Sequence, residues 1–251
     1  MAAQAAGCTI STVHRECPMD NSFNKFPRHI AIIPDGTRRW ARNRNLPEME
    51  GARAGAETVH RAAARLIDLG LENLTVWGFS ADNWKRPREQ VRFLFEQAGN
   101  WIEREAPWLH SHGVKLLHVG RTDRLPAGLL KATRACEELT RHNRGMTFRI
   151  AFDYNGRAEI IEAIQAIMRE QVLPEAIDDG VVARHLYAGG GPDVDLVIRT
   201  GGELRMSNFM IWQAAYCEYY FTPALWPDFD NAELDKALES YGRRERRFGG
   251  D

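Results

Sequence analysis

Long apolar runs are missing from this chain of 251 residues. No stretch approaches the ~20 apolar residues that a membrane-spanning helix needs. Cysteine is scarce: Cys8, Cys17, Cys136 and Cys217 form no C-x-x-C and no paired spacing. That argues against structural zinc and a disulfide framework, and it fits a reducing cytoplasm. Net charge is nearly absent too, with 33 basic against 34 acidic side chains. No global field therefore draws nucleic acid, and any basic site must be local. Neither G-x-G-x-x-G nor G-x-x-x-x-G-K-[ST] occurs, so dinucleotide and P-loop nucleotide binding lack their signatures. The amino terminus has no charged head followed by an apolar stretch, the mark of a secretory signal. The expectation is a cytoplasmic protein with no nucleic-acid partner and at most peripheral contact with a membrane.

What is present is an alternation of short apolar runs with helical periodicity. The length suits one α/β domain with a full core. Met1 to Phe26 is polar and aperiodic and reads as a flexible leader, which leaves 27–251 as the domain. Strands are expected at Ile30–Ile33, Leu74–Phe79, Val114–Val119, Thr147–Phe152, Asp195–Ile198 and Glu218–Phe221. Helices are expected from Arg38, over Gly51–Leu69 with Gly70 as its cap, from Arg88, over Pro126–Arg141, through Met168, over Ser207–Ala215 and over Asn231–Tyr241. Such alternation predicts a six-stranded, mostly parallel sheet covered on both faces by helices.

Ligands of a parallel sheet sit beyond the carboxyl ends of its strands. The predicted ends carry Asp35 with Arg38 and Arg39; Ser80, Asn83 and Arg86; Arg157; and Arg199 with Glu203 and Arg205, followed by Ser207. Read alone, Asp35-Gly36 is equally a plain turn and the arginines a solvated face. Four clusters with arginine in a chain of no net positive charge favour phosphate, which guanidinium grips with two parallel hydrogen bonds. Two carboxylates read as strand ends, Asp35 and Glu218, suit one Mg²⁺, which takes one or two protein carboxylates and completes its shell with phosphate and water. Phe93, Leu94 and Phe95, with Trp77, Phe79 and Trp101, are either ordinary core or the lining of an apolar cleft. Beside paired phosphate sites, a cleft points to a diphosphate head on a hydrocarbon tail.

Longer motifs narrow this. H-I-A-I-I-x-D-G-x-x-R-W-A from His29, F-S-x-x-N-W-x-R-P from Phe79, D-L-V-I-R-T-G-G-E-x-R-x-S-N-F from Asp195, L-W-P-D-F-D from Leu225 and R-E-R-R-F-G-G near the end follow one another in order. Together they resemble the cis-prenyltransferases, the undecaprenyl diphosphate synthase type of enzyme. The resemblance implies a single α/β domain with a hydrophobic tunnel, a homodimer, Mg²⁺ and isoprenoid diphosphate substrates. It implies that an allylic diphosphate sits on Asp35, Gly36, Thr37, Arg38, Arg39 and Trp40. The second diphosphate would be held by Arg199, Arg205 and Ser207, and Mg²⁺ by Asp35 and Glu218. Asn83, Trp84 and Arg86 would lie near the reacting carbons, with Ser80 among the substrate-binding residues and Asp35, Asn83 and Arg86 in catalytic roles. Arg247 and Gly249 match a tail motif that reaches the neighbouring subunit. Some relatives are non-catalytic partner subunits, which is the alternative to an active enzyme.

The departures from the family pattern fall on the allylic side. The usual M-D-G-N-G-R-W reads Pro34-Asp35-Gly36-Thr37-Arg38-Arg39-Trp40, and G-H-x-A-G reads Gly51-Ala52-Arg53-Ala54-Gly55 without its histidine. A basic position has become Glu48. Phe152 stands where a small or aliphatic residue is usual, and a ring facing the tunnel would shorten the product to C10–C15. The P-D-G-x-R-R-W variant is similar to the irregular branch, which joins two allylic units head-to-middle into lavandulyl-type diphosphates. Head-to-middle coupling with dimethylallyl diphosphate is therefore favoured over regular cis elongation with isopentenyl diphosphate.

Overall fold

The computed structural model describes residues 25–245. Most of the proposed leader, and Arg247 and Gly249, lie outside the described residues. The strands are β1 (His29–Ile33), β2 (Asn73–Ser80), β3 (Lys115–Val119), β4 (Thr147–Tyr154), β5 (Leu196–Arg199) and β6 (Glu218–Phe221). The helices among the described residues are α1 (Thr37–Asn43), α2 (Glu48–Asp68), α3 (Arg88–Ser111), α4 (Ala127–Thr140), α5 (Gly156–Arg169), α6 (Asp179–His185) and α7 (Asn231–Gly242). The strands pair in the order β3-β4-β2-β1-β5-β6, and every pairing is parallel. This is the expected six-stranded α/β domain.

Each central strand is buried on both sides, which is why its sequence does not alternate with polar residues. In β1, Ile30 and Ile32 enter the larger core, with Leu66, Ile102 and Phe148, while Ala31 and Ile33 enter a smaller one, with Val197 and Phe209. β2 breaks its own period. Its register against β4 shifts on either side of Phe79, so Val76 and Phe79 both reach the larger core while Trp77 turns to the smaller. Gly78 makes room for this: a Cβ there would lie 2.4 Å from the ring of Phe152.

Three sequence expectations are corrected. Ser207–Ala215 is not a helix; it is a run of turns in which Ser207, Asn208 and Met210 take φ of 51°, 68° and 45°. A left-handed residue cannot continue a right-handed helix. Here the backbone breaks so that Phe209, wholly buried, can stack on Trp77 with ring centres 4.7 Å apart. Trp77 therefore lies across the sheet from Phe79 and Phe95 and does not line a cleft with them. Glu218 opens β6 and does not end it, because it pairs with Leu196, itself opposite Ile30. α6 was absent from the expectations because its seven residues are too short to show a period.

Gly78→Ala is expected to cost about 1–3 kcal/mol in urea unfolding, since the new methyl meets a buried ring. Phe152→Leu in the same chain should recover much of that loss, and additive costs would show that the two sites do not touch.

Candidate active site

β1 and β5 lie side by side, but the chain leaves them in opposite directions, β1 towards β2 and β5 towards β6. Such a switch point opens a crevice at the carboxyl ends. Asp35 enters it two residues after β1. Gly36 follows at φ 96°, where a Cβ would come within 2.7 Å of Leu225. The Asp35 backbone is fixed from both sides: its N–H donates to the Thr200 hydroxyl at 2.8 Å, and that hydroxyl donates to the Asp35 carbonyl at 2.8 Å. The same carbonyl accepts the Trp226 N–H at 3.0 Å.

The Asp35 carboxylate is a meeting point of donors. Oδ1 accepts the Gly36 N–H at 2.6 Å and Arg39 Nη2 at 3.3 Å, and Oδ2 accepts Arg199 Nη2 at 2.9 Å. Arg199, on the last position of β5, is only 5% exposed at its side chain. Its Nη1 donates to Ser207 Oγ at 2.9 Å and to the Arg205 carbonyl, while its Nε is buried without a partner. Arg199 is therefore held by Asp35, Ser207 and the Arg205 carbonyl, with one buried donor left without a partner. Arg205 is exposed and paired with Glu203. The turns of 207–210 dock through Asn208, whose carbonyl and Oδ1 accept the N–H groups of Gly156 and Arg157 at 3.0 and 2.9 Å.

A second wall follows β2. Ser80 caps a short tight helix, Ala81–Lys85: its Oγ accepts the Asp82 N–H at 3.1 Å and its own N–H donates to Asn83 Oδ1 at 3.1 Å. Asn83 thus shapes the loop with its side-chain oxygen. Trp84 and Arg86 project from that loop. Burial, then the charge of Arg38, lowers the Arg86 guanidinium below its ordinary value, while Glu48 and Asp35 oppose them. The four charges therefore share one neighbourhood. Arg38 is paired with Glu48 at 2.9 Å, and Glu48 also accepts Gln90 Nε2 at 3.1 Å. Two departures noted in the sequence, Arg38 and Glu48, are thus partners of each other. Trp40 is turned away to Asp228, its Nε1 donating at 2.7 Å, so it anchors α1 to the Trp226–Asp228 turn.

The apolar wall is aromatic. Phe79 and Phe95 have ring centres 4.5 Å apart, and Trp84 lies 5.5 Å from the first and 5.3 Å from the second. Phe152, 7% exposed, and Trp101 belong to the same core, and Leu94 packs on it.

Glu218 is not part of this assembly. It sits level with Ile30, five residues before Asp35, so roughly 16 Å separates the two along the strand direction alone. Its carboxylate is held by Arg244 at 2.6 Å. Within one chain the two-carboxylate metal site is not formed, and no group of three or more His, Cys, Asp or Glu residues suited to a metal occurs among the described residues. Asp35 alone fits: three of its roughly four lone-pair positions are taken, which leaves one for a cation that also rides on phosphate.

Sequence reasoning missed Thr200, the buried clamp on Asp35, although it stands directly after Arg199. It also missed the buried acceptor Asp153, which receives Trp84 Nε1 at 2.8 Å.

Two cationic edges, a carboxylate and an aromatic wall suit a diphosphate with an apolar tail. Comparison with known proteins agrees. The family model of undecaprenyl diphosphate synthase matches residues 33–249. The chain belongs to this cis-prenyltransferase family. The isoprenyl transferase of Streptococcus thermophilus is 42% identical over 236 residues, covering 91% of this chain and 95% of that protein. That of Aquifex aeolicus is 44% identical over 225 residues, covering 90% and 96%. Among solved structures, lavandulyl diphosphate synthase from Lavandula x intermedia, in complex with dimethylallyl diphosphate, superposes with a TM-score of 0.86 at 37% identity, covering 89% of this chain and 98% of that one. A probable undecaprenyl diphosphate synthase from Campylobacter jejuni gives 0.76 at 27% identity, covering 90% and 99%. This chain is a prenyltransferase enzyme.

In this prenyltransferase, Arg199→Lys is expected to lower the affinity for inorganic pyrophosphate about tenfold, since the planar fork is lost while the charge stays. Titration calorimetry checks it, and an unchanged affinity would place the anion elsewhere.

Proposed function

We propose that this prenyltransferase condenses an allylic diphosphate, dimethylallyl or geranyl, with a second C5 diphosphate to give a short-chain product. The observation that carries this reading is the Asp35–Arg199–Ser207 node, with the unpartnered Nε of Arg199, beside the loop that brings Arg86 and the aromatic ring of Trp84. Arg199, Arg205 and Ser207 hold one diphosphate; Gly36, Thr37, Arg38 and Arg39 hold the allylic one. The C1–O bond of the allylic diphosphate breaks with its electron pair left on pyrophosphate. The allylic carbon bonds to an alkene carbon of the second substrate, and a proton then leaves the product cation. Fixed guanidinium groups stabilise the charge that develops on the leaving group. Mg²⁺ held by Asp35 and a diphosphate would neutralise more of that charge.

Head-to-middle coupling of two dimethylallyl units is the preferred regiochemistry. It is supported by the changes at Pro34, Thr37, Arg38, Glu48 and Ala52, and by the likeness to a lavandulyl diphosphate synthase at a TM-score of 0.86. The second reading, regular cis elongation with isopentenyl diphosphate, draws on 42–44% identity to bacterial isoprenyl transferases. Phe152 is taken as the floor of the tail site. The outer face of α5 offers a surface for a second copy of the chain, with Ile161, Ile164 and Met168 exposed at 55%, 48% and 72%. No helix among the described residues is long and apolar enough to cross a membrane.

Purified protein with Mg²⁺ and dimethylallyl diphosphate alone is expected to give a branched C10 diphosphate, seen by mass spectrometry after dephosphorylation. Product that needs isopentenyl diphosphate would overturn the head-to-middle reading. Phe152→Ala should lengthen the product by at least one C5 unit; an unchanged length removes Phe152 as the floor. Glu48→Gln releases Arg38 to the substrate and is expected to lower KM for the allylic diphosphate about three- to tenfold. A higher KM in steady-state assays would mean that Glu48 orients Arg38 productively.

A further inference from the structure

Asp153, the last residue but one of β4, has features that the fold alone does not call for. It is fully buried, it takes φ 52°, and both carboxylate oxygens are engaged by groups from other loops. Oδ1 accepts Trp84 Nε1 at 2.8 Å and Arg124 Nη2 at 2.5 Å, and Oδ2 accepts Arg124 Nε at 2.8 Å. Arg124 comes from the segment between β3 and α4, and its guanidinium carbon lies 5.5 Å from the centre of the Trp84 ring. A neutral acceptor satisfies an indole N–H; a buried carboxylate persists only when a cation meets it with good geometry. The fork of Arg124 is that cation, and the pair holds the polar end of Trp84. The apolar end is held by Phe79, edge-on at 79°, and by Phe95. An indole fixed at both ends has one position.

We propose that Asp153 and Arg124 form a positioning pair that fixes the Trp84 ring as a wall of the tail site. The proposal rests on the prenyl diphosphate reading of that site. Phe152, the neighbour of Asp153 in the chain, sends its ring into the same core as Phe79 and Phe95. Consecutive residues of β4 therefore act on one aromatic cluster: Phe152 with its own ring, and Asp153 through Trp84. The pair touches no diphosphate-binding residue, so it should govern how the tail and its reacting carbon are presented and not how the head group is bound.

The test replaces the ionic pair by a neutral one, Asp153→Asn with Arg124→Gln, so that no unpaired charge is buried. With Mg²⁺ and dimethylallyl diphosphate, with and without isopentenyl diphosphate, kcat is expected to fall about tenfold or more while KM for each diphosphate stays within about twofold. The product mixture should broaden in length, and Arg124→Lys in the wild-type background should lie between. The indole ¹H–¹⁵N resonance of Trp84, assigned by Trp84→Phe, should move upfield and exchange faster in the double variant. Wild-type kinetics and product in the double variant would overturn the proposal, as would an unmoved indole resonance. A wild-type protein that makes no prenyl product would overturn the prenyl reading alone, because the resonance reports the hold on Trp84 without turnover.

Discussion

The pairing of Asp35 with Arg199 across the carboxyl ends of β1 and β5 is the contact on which the site depends. Arg199 depends on Asp35 for its opposite charge, while the partly exposed Asp35 also has Gly36 and Arg39 as donors. Arg199 is a nearly buried guanidinium, which needs an opposite charge and filled donors, and Asp35 supplies the charge from a loop pinned by Thr200 and Trp226. The same contact aligns Ser207 and the turns that follow it. Sheet topology makes this possible, because only at the switch point do adjacent strands send their loops apart and leave space between them. Cation, carboxylate and free donor are thus preorganised before any anion arrives, which is the arrangement that electrostatic catalysis requires.

The sheet was legible in the sequence because its strands are short, buried on both faces and bounded by turn residues. All six were found near their observed places, and Arg39 and Arg199 meet at Asp35, while Arg205 turns to Glu203. What failed, failed for local reasons. Ser207–Ala215 has helical composition, but Phe209 must reach Trp77, and that tertiary contact outweighs propensity. Trp77 and Phe79 look like same-face neighbours at spacing two, yet the shifted register beside Gly78 separates them. Glu218 was legible as the first residue of its strand, at the edge opposite the carboxyl ends, and its register beside Leu196 fixes it there. Thr200 and Asp153 act through buried hydrogen bonds to distant segments, and a single sequence carries no signal for such partners.

The departures from the family pattern take on a different meaning in three dimensions. Counted along the chain, a gained arginine and a gained glutamate are separate changes; in space they are one ion pair at the mouth of the site, tied also to Gln90 on α3. The side that carries Arg199 has no such rearrangement. The departures are thus confined to one side of the site and joined there by an ion pair.

Trp226 joins two of these parts mechanically. Its backbone N–H holds the Asp35 carbonyl at 3.0 Å and its indole N–H holds the Gly55 carbonyl of α2 at 2.9 Å, both with the ring buried. Between α2 and α3 the polar links include an exposed pair, Arg104 to Glu57, and one that reaches inward, His60 to the buried Glu105. The Asp35 loop and α2, by contrast, are tied to each other through one buried residue. Trp226 is thus a shared anchor: loosening it would disturb the Asp35 loop and the packing of α2 together, so neither can shift without the other.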